Sequence, residues 1–436
     1  MICTMSIERP QASSARAPAQ ISRGVIARSI GILLSGSVTS RLFAAVSLIV
    51  MARSVGPAAF GQFVATITVI RLTSLLFSLG TDQWLLRNGG QTPTQATAAT
   101  ASIATIKLLL GVLWLFVLIL ALPAINPALF TAEIVVFIGL IVWCEELLNT
   151  IIVGYQAILN VKRASLLIVA PQGLILAGSV LVALQTQALS AHLAMRSATM
   201  VTCTIAAGAM WGWHARFQIR VAPFRPIIVA SLPFALSNFL VMLYGTADLI
   251  LVGQLLGSEA AGIYAPASNL IGLLYLAPGA YFAVMVPVLS REVDAATQQL
   301  QRTMSTYVRS SVLLGGALAA GTVLIAPLFI QIAYGAAYTA TTQLLPPLSA
   351  VVWLHTISFS LAAILTALDL QKQRLAPQAA AAVVNIGLNL ALLPRFGLIA
   401  VAWSFVASEI ILVAGYWRLY RRARARSAHR TQAIDP

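Results

Sequence analysis

Apolar residues fill this chain in long runs, and short polar or basic clusters separate them from one end to the other. Each run is roughly 20 residues, which at about 1.5 Å per helical residue spans a hydrocarbon core of about 30 Å. The runs do not alternate apolar and polar every second residue, as the strands of a membrane barrel do, so they are expected to be helices. The pattern predicts spans near 25–52, 59–82, 98–122, 131–155, 164–184, 189–213, 227–255, 260–289, 304–333, 342–369, 375–393 and 397–419. None of the connections is long enough to fold as a separate domain. The expected organisation is a disordered cytoplasmic tail (1–22), a six-helix bundle (23–213), a cytoplasmic linker (214–226), a second six-helix bundle (227–420) and a basic cytoplasmic tail (421–436).

Composition strengthens the membrane assignment. With 59% apolar and 9% charged residues, a water-soluble globule of this size lacks the polar surface to cover its apolar material. The formal charge of +15 raises the question of nucleic acid. The basic residues lie in short clusters between apolar runs, however, which fits anionic lipid headgroups and excludes a nucleic-acid surface. Cys3, Cys144 and Cys203 have no metal-ligand spacing and form no disulfide framework. No metal or cofactor is expected. The first 22 residues lack the apolar core of a cleaved signal peptide.

Charge also sets orientation. In the twelve-span scheme, 20 Lys and Arg residues fall on the side of the two termini, and only Arg53 and Arg395 fall on the other. The excess marks the cytoplasmic side, so both termini are expected there, in an inner membrane.

A weak internal repeat accompanies this topology. Val55-Gly56-Pro57-Ala58-Ala59-Phe60-Gly61-Gln62-Phe63 follows the first span, and Leu256-Gly257-Ser258-Glu259-Ala260-Ala261-Gly262-Ile263-Tyr264 follows the seventh. Both read apolar, Gly, four residues, Gly, any residue, aromatic. Their separation of six spans implies a parallel repeat about an axis along the membrane normal.

The stretch from Arg41 through Ala52-Arg53-Ser54-Val55-Gly56-Pro57-Ala58-Ala59-Phe60-Gly61 to Leu79-Gly80 resembles the opening of polysaccharide and O-antigen flippases. The segment Asp248-Leu249-Ile250-Leu251-Val252-Gly253, followed by Leu256-Gly257 and Ala261-Gly262-Ile263-Tyr264-Ala265, resembles the start of that family's second lobe. The resemblance implies an all-α integral membrane fold of about twelve helices, in two pseudo-symmetric six-helix bundles around a central cavity. It further implies alternating access and an undecaprenyl-diphosphate-linked oligosaccharide as substrate, with membrane lipids and other envelope polysaccharide assembly proteins as partners. Multidrug extruders of the same superfamily tend to place an acid in the first span where this chain has Arg41, and lipid II flippases tend to have fourteen spans.

Ionisable groups inside the spans carry the remaining chemical information, because each costs about 2.5–3.5 kcal/mol near the bilayer centre on insertion scales and needs a partner or a wet cavity. They are Arg41, Arg71, Lys107, Arg196, Glu145 and Glu146 in the first half, and Asp248, His355 and Glu409 in the second. Thr68, Arg71, Ser74 and Ser78 share one helical face, as do Ser237, Tyr244 and Asp248. Arg41, Arg71, Lys107 and Arg196 are expected to line the cavity and hold the carrier's diphosphate, a role suited to the planar, permanently charged guanidinium. Lys107 and Arg196 lie nearer helix ends, where snorkelling is the alternative. Asp248, Glu145 and Glu146 are read as ion-coupling groups or as structural ion-pair partners. Glu145 and Glu146 are about 100° apart on a helix, so one of the two faces the cavity. His355 is read as a packed core histidine, with a proton relay as the alternative.

The chain contains no nucleotide-binding Gly-x-x-x-x-Gly-Lys-Ser/Thr loop, no His-Glu-x-x-His and no Gly-x-Ser-x-Gly. No catalytic residues are assigned, and the chain is not read as an enzyme. The rival readings are a multidrug or amphiphile exporter and an integral-membrane polysaccharide polymerase or ligase; the latter needs a sizeable external loop.

Overall fold

A computed structural model describes residues 23–88, 93–214, 224–294 and 299–432. The expected tail 1–22 and most of the linker 214–226 lie outside the described residues, with Arg9, Arg16, Arg216 and Arg220. The last four residues of the basic tail lie outside them too. Every regular element among the described residues is helical.

Helix α1 (Arg23–Ser78) runs across and back. Gly56 breaks it at φ 78°, ψ 172°, a conformation essentially restricted to glycine, and Pro57 then opens the return arm with its φ already set for a helix. A short helix α2 (Thr81–Asn88) precedes α3 (Pro93–Ile125), α4 (Ala132–Ala157), α5 (Val161–Gln185) and α6 (Leu189–His214), which complete the first lobe. The second lobe begins with α7 (Phe224–Leu255), and Gly257 makes the same kind of turn, φ 88° and ψ −179°, into α8 (Ser258–Leu274). There follow α9 (Leu276–Asp294), α10 (Gln299–Leu324), α11 (Ala326–Tyr334), a 3-10 segment (Ala336–Leu344), α12 (Leu345–Ala367), α13 (Gln371–Phe396) and α14 (Leu398–Gln432).

Among the described residues, ten helical stretches are long and apolar enough to cross a membrane. The first, Gly31–Ser78, folds back at Gly56 and crosses twice. Counted with α7, this gives the twelve crossings that the sequence pattern predicts. Two expected spans divide: the run 260–289 breaks at Tyr275, and the run 304–333 breaks at Ile325. In each case a proline, Pro278 or Pro327, sits just inside the new helix, where its missing N–H costs least.

The lipid-facing surface follows from exposure. On α3, Leu109, Leu113, Phe116 and Leu120 are all exposed, and their 4-3-4 spacing puts them on one face, an apolar stripe that hydrocarbon covers.

A second repeat, invisible in the pattern of apolar runs, marks the opposite turns. Leu159 and Asp369 both adopt left-handed backbone, φ 59° and 56°. Around Leu159 the N–H of Leu159 donates to the Gln156 carbonyl and that of Asn160 to the Tyr155 carbonyl, at 2.9 and 2.8 Å. Around Asp369 the N–H of Asp369 donates to Thr366 and that of Leu370 to Leu365, at 3.1 and 2.8 Å. Both are the same helix-terminating motif, in one case between α4 and α5 and in the other between α12 and α13.

The lobes meet unevenly. Toward the Gly56 and Gly257 turns one apolar core joins them, packing Met51, Phe60 and Ile138 with Val252, Tyr264 and Tyr338. Among the described residues, three hydrogen bonds cross there: Arg53 Nη1 to the Ile332 carbonyl at 3.0 Å, Tyr338 Oη to the Ala52 carbonyl at 2.8 Å, and Asn126 Nδ2 to Gln254 Oε1 at 3.2 Å. Toward the termini, separate cores form around Tyr155 in the first lobe and Tyr307 in the second. A small cluster there still packs Ile227 of α7 against Leu85, Ala99, Ile103 and Val153 of the first lobe, so the molecule is joined by a large core at its glycine turns and by a small one at its other face.

Candidate functional site

Arg41 and Arg71 lie fifteen residues before and after Gly56, so the two arms of α1 carry them to the same depth, about 22 Å from the turn. Their surroundings differ. Arg41 is exposed on the wall of a cleft of ≈ 210 Å³ between the lobes, which it lines with Ala44, Leu48, Asn269, Leu273 and Tyr334. Among the described residues it has no ion-pair partner. Arg71 presents one terminal nitrogen to both Glu145 oxygens, at 3.0 and 2.9 Å, while 46% of its side chain remains exposed.

Lys107 has a different setting. It is fully buried and donates to Asp82 Oδ2 at 2.9 Å, to Glu146 Oε2 at 3.0 Å and to the Glu146 carbonyl at 3.3 Å. An ammonium has three donors, so in this conformation Lys107 has none to offer a phosphate. Asp82 also accepts from Asn149 Nδ2 at 2.6 Å and Thr150 Oγ1 at 2.9 Å. Every member of the group is satisfied, as a buried charge cluster requires. The adjacent acids therefore divide: Glu145 faces Arg71 and Glu146 faces Lys107, as their angular separation on α4 dictates. Asp82 was not expected at the site, because it lies at the predicted end of a span and its partners come from two other helices.

Arg196 is nine-tenths buried. One terminal nitrogen donates to Ser47 Oγ at 2.6 Å, the guanidinium carbon stands 5.8 Å from the Phe63 ring centre, and Nε has no partner. No carboxylate among the described residues lies within ion-pair distance of it. Cation-π contact with Phe63 offsets part of the missing charge pairing. Arg196 does not snorkel; it points into the first lobe.

In the second lobe Asp248 accepts a hydrogen bond from Tyr264 Oη, and both are buried. No basic residue among the described ones pairs with Asp248. The Ser237 and Tyr244 side chains expected on its face lie outside the described residues. By the Gly56/Gly257 repeat, Asp248 and Tyr264 occupy the positions of Ser47 and Phe63. The two lobes thus place opposite charge at equivalent sites, Arg196 beside Ser47 and Phe63 in one, Asp248 in the other.

His355 also has a partner that spacing did not reveal. Its Nδ1 lies 2.7 Å from Glu409 Oε1, Ser358 Oγ donates to Glu409 Oε2 at 3.3 Å, and the Tyr275 ring stacks on the imidazole at 3.8 Å. His355 and Glu409 come from α12 and α14, so no single-helix pattern links them.

Comparison with known proteins places these observations. The sequence profile of a family described as polysaccharide biosynthesis protein matches residues 50–343. No curated protein matches the sequence. Among solved structures, an inward-facing multidrug resistance MATE family transporter of the MOP superfamily is similar at 14% identity and TM-score 0.68, covering 93% of this chain and 99% of that one. An outward-facing conformation of such a transporter gives 16% identity and TM-score 0.59, covering 93% and 96%. A MOP superfamily transporter from Pyrococcus furiosus, described as having a binding pocket of reversed polarity, gives 15% and 0.60, covering 92% and 95%. At such identities the likeness establishes the fold, that of two-lobed MOP transporters.

Proposed function

We infer that this chain, which belongs to the polysaccharide biosynthesis protein family, is an alternating-access flippase that moves an undecaprenyl-diphosphate-linked oligosaccharide between membrane leaflets. The observation that carries the reading is Arg41, an exposed cation without an acidic partner on the wall of the cleft between the lobes. Such a group is tolerated inside a membrane where it pairs or lines a wet cavity, and on a cleft wall with no acidic partner among the described residues it is open to an anionic ligand. A diphosphate supplies one, and a guanidinium binds phosphate oxygens in pairs while staying charged.

Arg71 is the second contact. With the site empty, Glu145 neutralises it; on loading, phosphate oxygens displace the carboxylate and take over the same donors. Arg196 stays in reserve, with Nε unpaired, and Lys107 holds α2, α3 and α4 together. The basic excess puts the termini in the cytoplasm, so the face with the smaller inter-lobe core is the cytoplasmic one and the headgroup enters there, at the inner membrane. The apolar carrier chain stays in lipid and needs no binding energy to cross. Asp248 is the candidate for coupling to an ion gradient. The domain boundaries follow the six-plus-six plan, with the linker at 214–226.

The fold is shared with multidrug transporters, so the test must separate glycan from drug. In a strain lacking this protein, lipid-linked oligosaccharide is expected to accumulate on the cytoplasmic leaflet, and the wild-type chain but not Arg41→Ala restores export. Unchanged glycan export with altered drug tolerance rejects the reading.

A further inference from the structure

Gly61 and Gly262 hold equivalent places in the two halves of the repeat, and the fold brings them face to face. A Cβ built on Gly61 is driven into the Ser258 carbonyl and the Gly262 nitrogen, and one built on Gly262 into the Pro57 carbonyl. The return arm of α1 and helix α8 therefore touch backbone to backbone, closer than side chains ordinarily permit. The next contact along the same seam is Gly253 against Ala65, where a Cβ on the glycine stands 2.8 Å from the alanine Cβ. By contrast, a Cβ on Gly208 or Gly245 meets nothing within 4 Å.

We propose that the Gly61/Gly262 contact is the seal and separation point of the face that carries the glycine turns. Three features support this. The contact joins the lobes at their pseudo-symmetry axis, so opening must part it. The cross-lobe hydrogen bonds Arg53 to Ile332, Tyr338 to Ala52 and Asn126 to Gln254 flank it, few enough to break together. Finally, glycine surfaces do not interdigitate, so at this contact the backbones part and reseat without interlocked rotamers, and the side-chain packing that opening must undo is confined to the core beside it, where Phe60 meets Tyr338. A β-carbon at either position removes the closed state and leaves the open one.

The proposal rests on the reading that the lobes rock, and the first arm of its test needs no glycan. In full-length protein with Cys3, Cys144 and Cys203 replaced by serine, Ala65→Cys reports on the seam, since Ala65 is buried. Labelling by a membrane-impermeant maleimide added on the glycine-turn side is expected to be slow. Gly61→Ala and Gly262→Ala are each expected to raise its rate about fivefold or more, the change that a bias of about 1 kcal/mol toward the open state produces. Gly208→Ala is expected to leave it unchanged. Equal labelling in all four proteins, or an equal rise in Gly208→Ala, overturns the proposal.

A second arm keeps it testable if the glycine variants are not recovered from the membrane. Ala65→Cys with Gly253→Cys is within about 1 Å of disulfide spacing in the closed state, so oxidation is expected to cross-link it rapidly and to stop export until reductant is added. Failure to cross-link, or undiminished export by cross-linked protein, overturns the seal. Absence of export from the reduced protein and from the wild type counts only against the flippase reading.

Discussion

Arg71 sets a single terminal nitrogen between both oxygens of Glu145, at 2.9 and 3.0 Å, yet nearly half of its side chain is open. Its exposure leaves the Arg71 donors within reach of a second anion. On the proposed function, this pair exchanges one anion for another. Glu145→Gln is therefore expected to retain folding and to hold lipid-linked diphosphate more tightly while slowing its release. The check is equilibrium binding of the carrier lipid set beside turnover: affinity rises and transport falls. A drop in both contradicts the exchange.

The Lys107 cluster is expected to act on stability. Lys107→Met strands the buried Asp82 and the half-buried Glu146 as partly unpaired carboxylates, and breaking a buried pair from one side costs about 3–5 kcal/mol. Thermal unfolding in detergent is expected to reveal a large loss, or the variant fails to accumulate. Arg41→Ala, which removes an exposed and unpaired side chain, is expected to unfold like the wild type.

The Asp248–Tyr264 pair lends itself to a double-mutant cycle. Tyr264→Phe removes the hydroxyl and leaves a buried acceptor unsatisfied, at a cost of about 1–3 kcal/mol. Asp248→Asn keeps an acceptor oxygen and is expected to be milder. In combination the losses are expected to be less than additive, because both act on one bond. Simple additivity in thermal unfolding contradicts the pairing.

The two glycine turns are expected to resist substitution for a backbone reason. Gly56 and Gly257 hold φ near +80° with extended ψ, where a side chain costs of order 1–3 kcal/mol. Gly56→Ala or Gly257→Ala is expected to lower yield and melting temperature, with Gly208→Ala as the unaffected control. Equal behaviour of the three variants contradicts the assignment.

What the sequence made legible, and what it hid, follows from the range of each interaction. Runs of apolar residues report a local property, length against membrane thickness, so the crossings and the return at Gly56 were readable. The Gly56/Gly257 repeat was readable because both copies keep the residue that the backbone demands. The pairings were not. Lys107 with Asp82 and His355 with Glu409 each join different helices, and helical periodicity carries no information about which faces meet. The Leu159 and Asp369 turns share a backbone shape while their left-handed residues differ, so their equivalence is carried by dihedral angles and hydrogen bonds rather than by a marker residue such as glycine. The breaks at Tyr275 and Ile325 were half visible: Pro278 and Pro327 mark them, but a proline inside a membrane helix more often bends it than ends it.

The central claim is that Arg41 and Arg71 together hold the diphosphate, and reconstitution tests it most directly. Purified protein in vesicles carrying an undecaprenyl-diphosphate-linked oligosaccharide is assayed for exposure of the sugar on the opposite leaflet. Each charge-assisted contact is worth about 1.5–3 kcal/mol, so the Arg41→Ala, Arg71→Ala double variant is expected to lose more than about tenfold in rate, with the Arg→Lys pair between it and the wild type. A double alanine variant that inserts normally and moves the lipid at the wild-type rate contradicts the account.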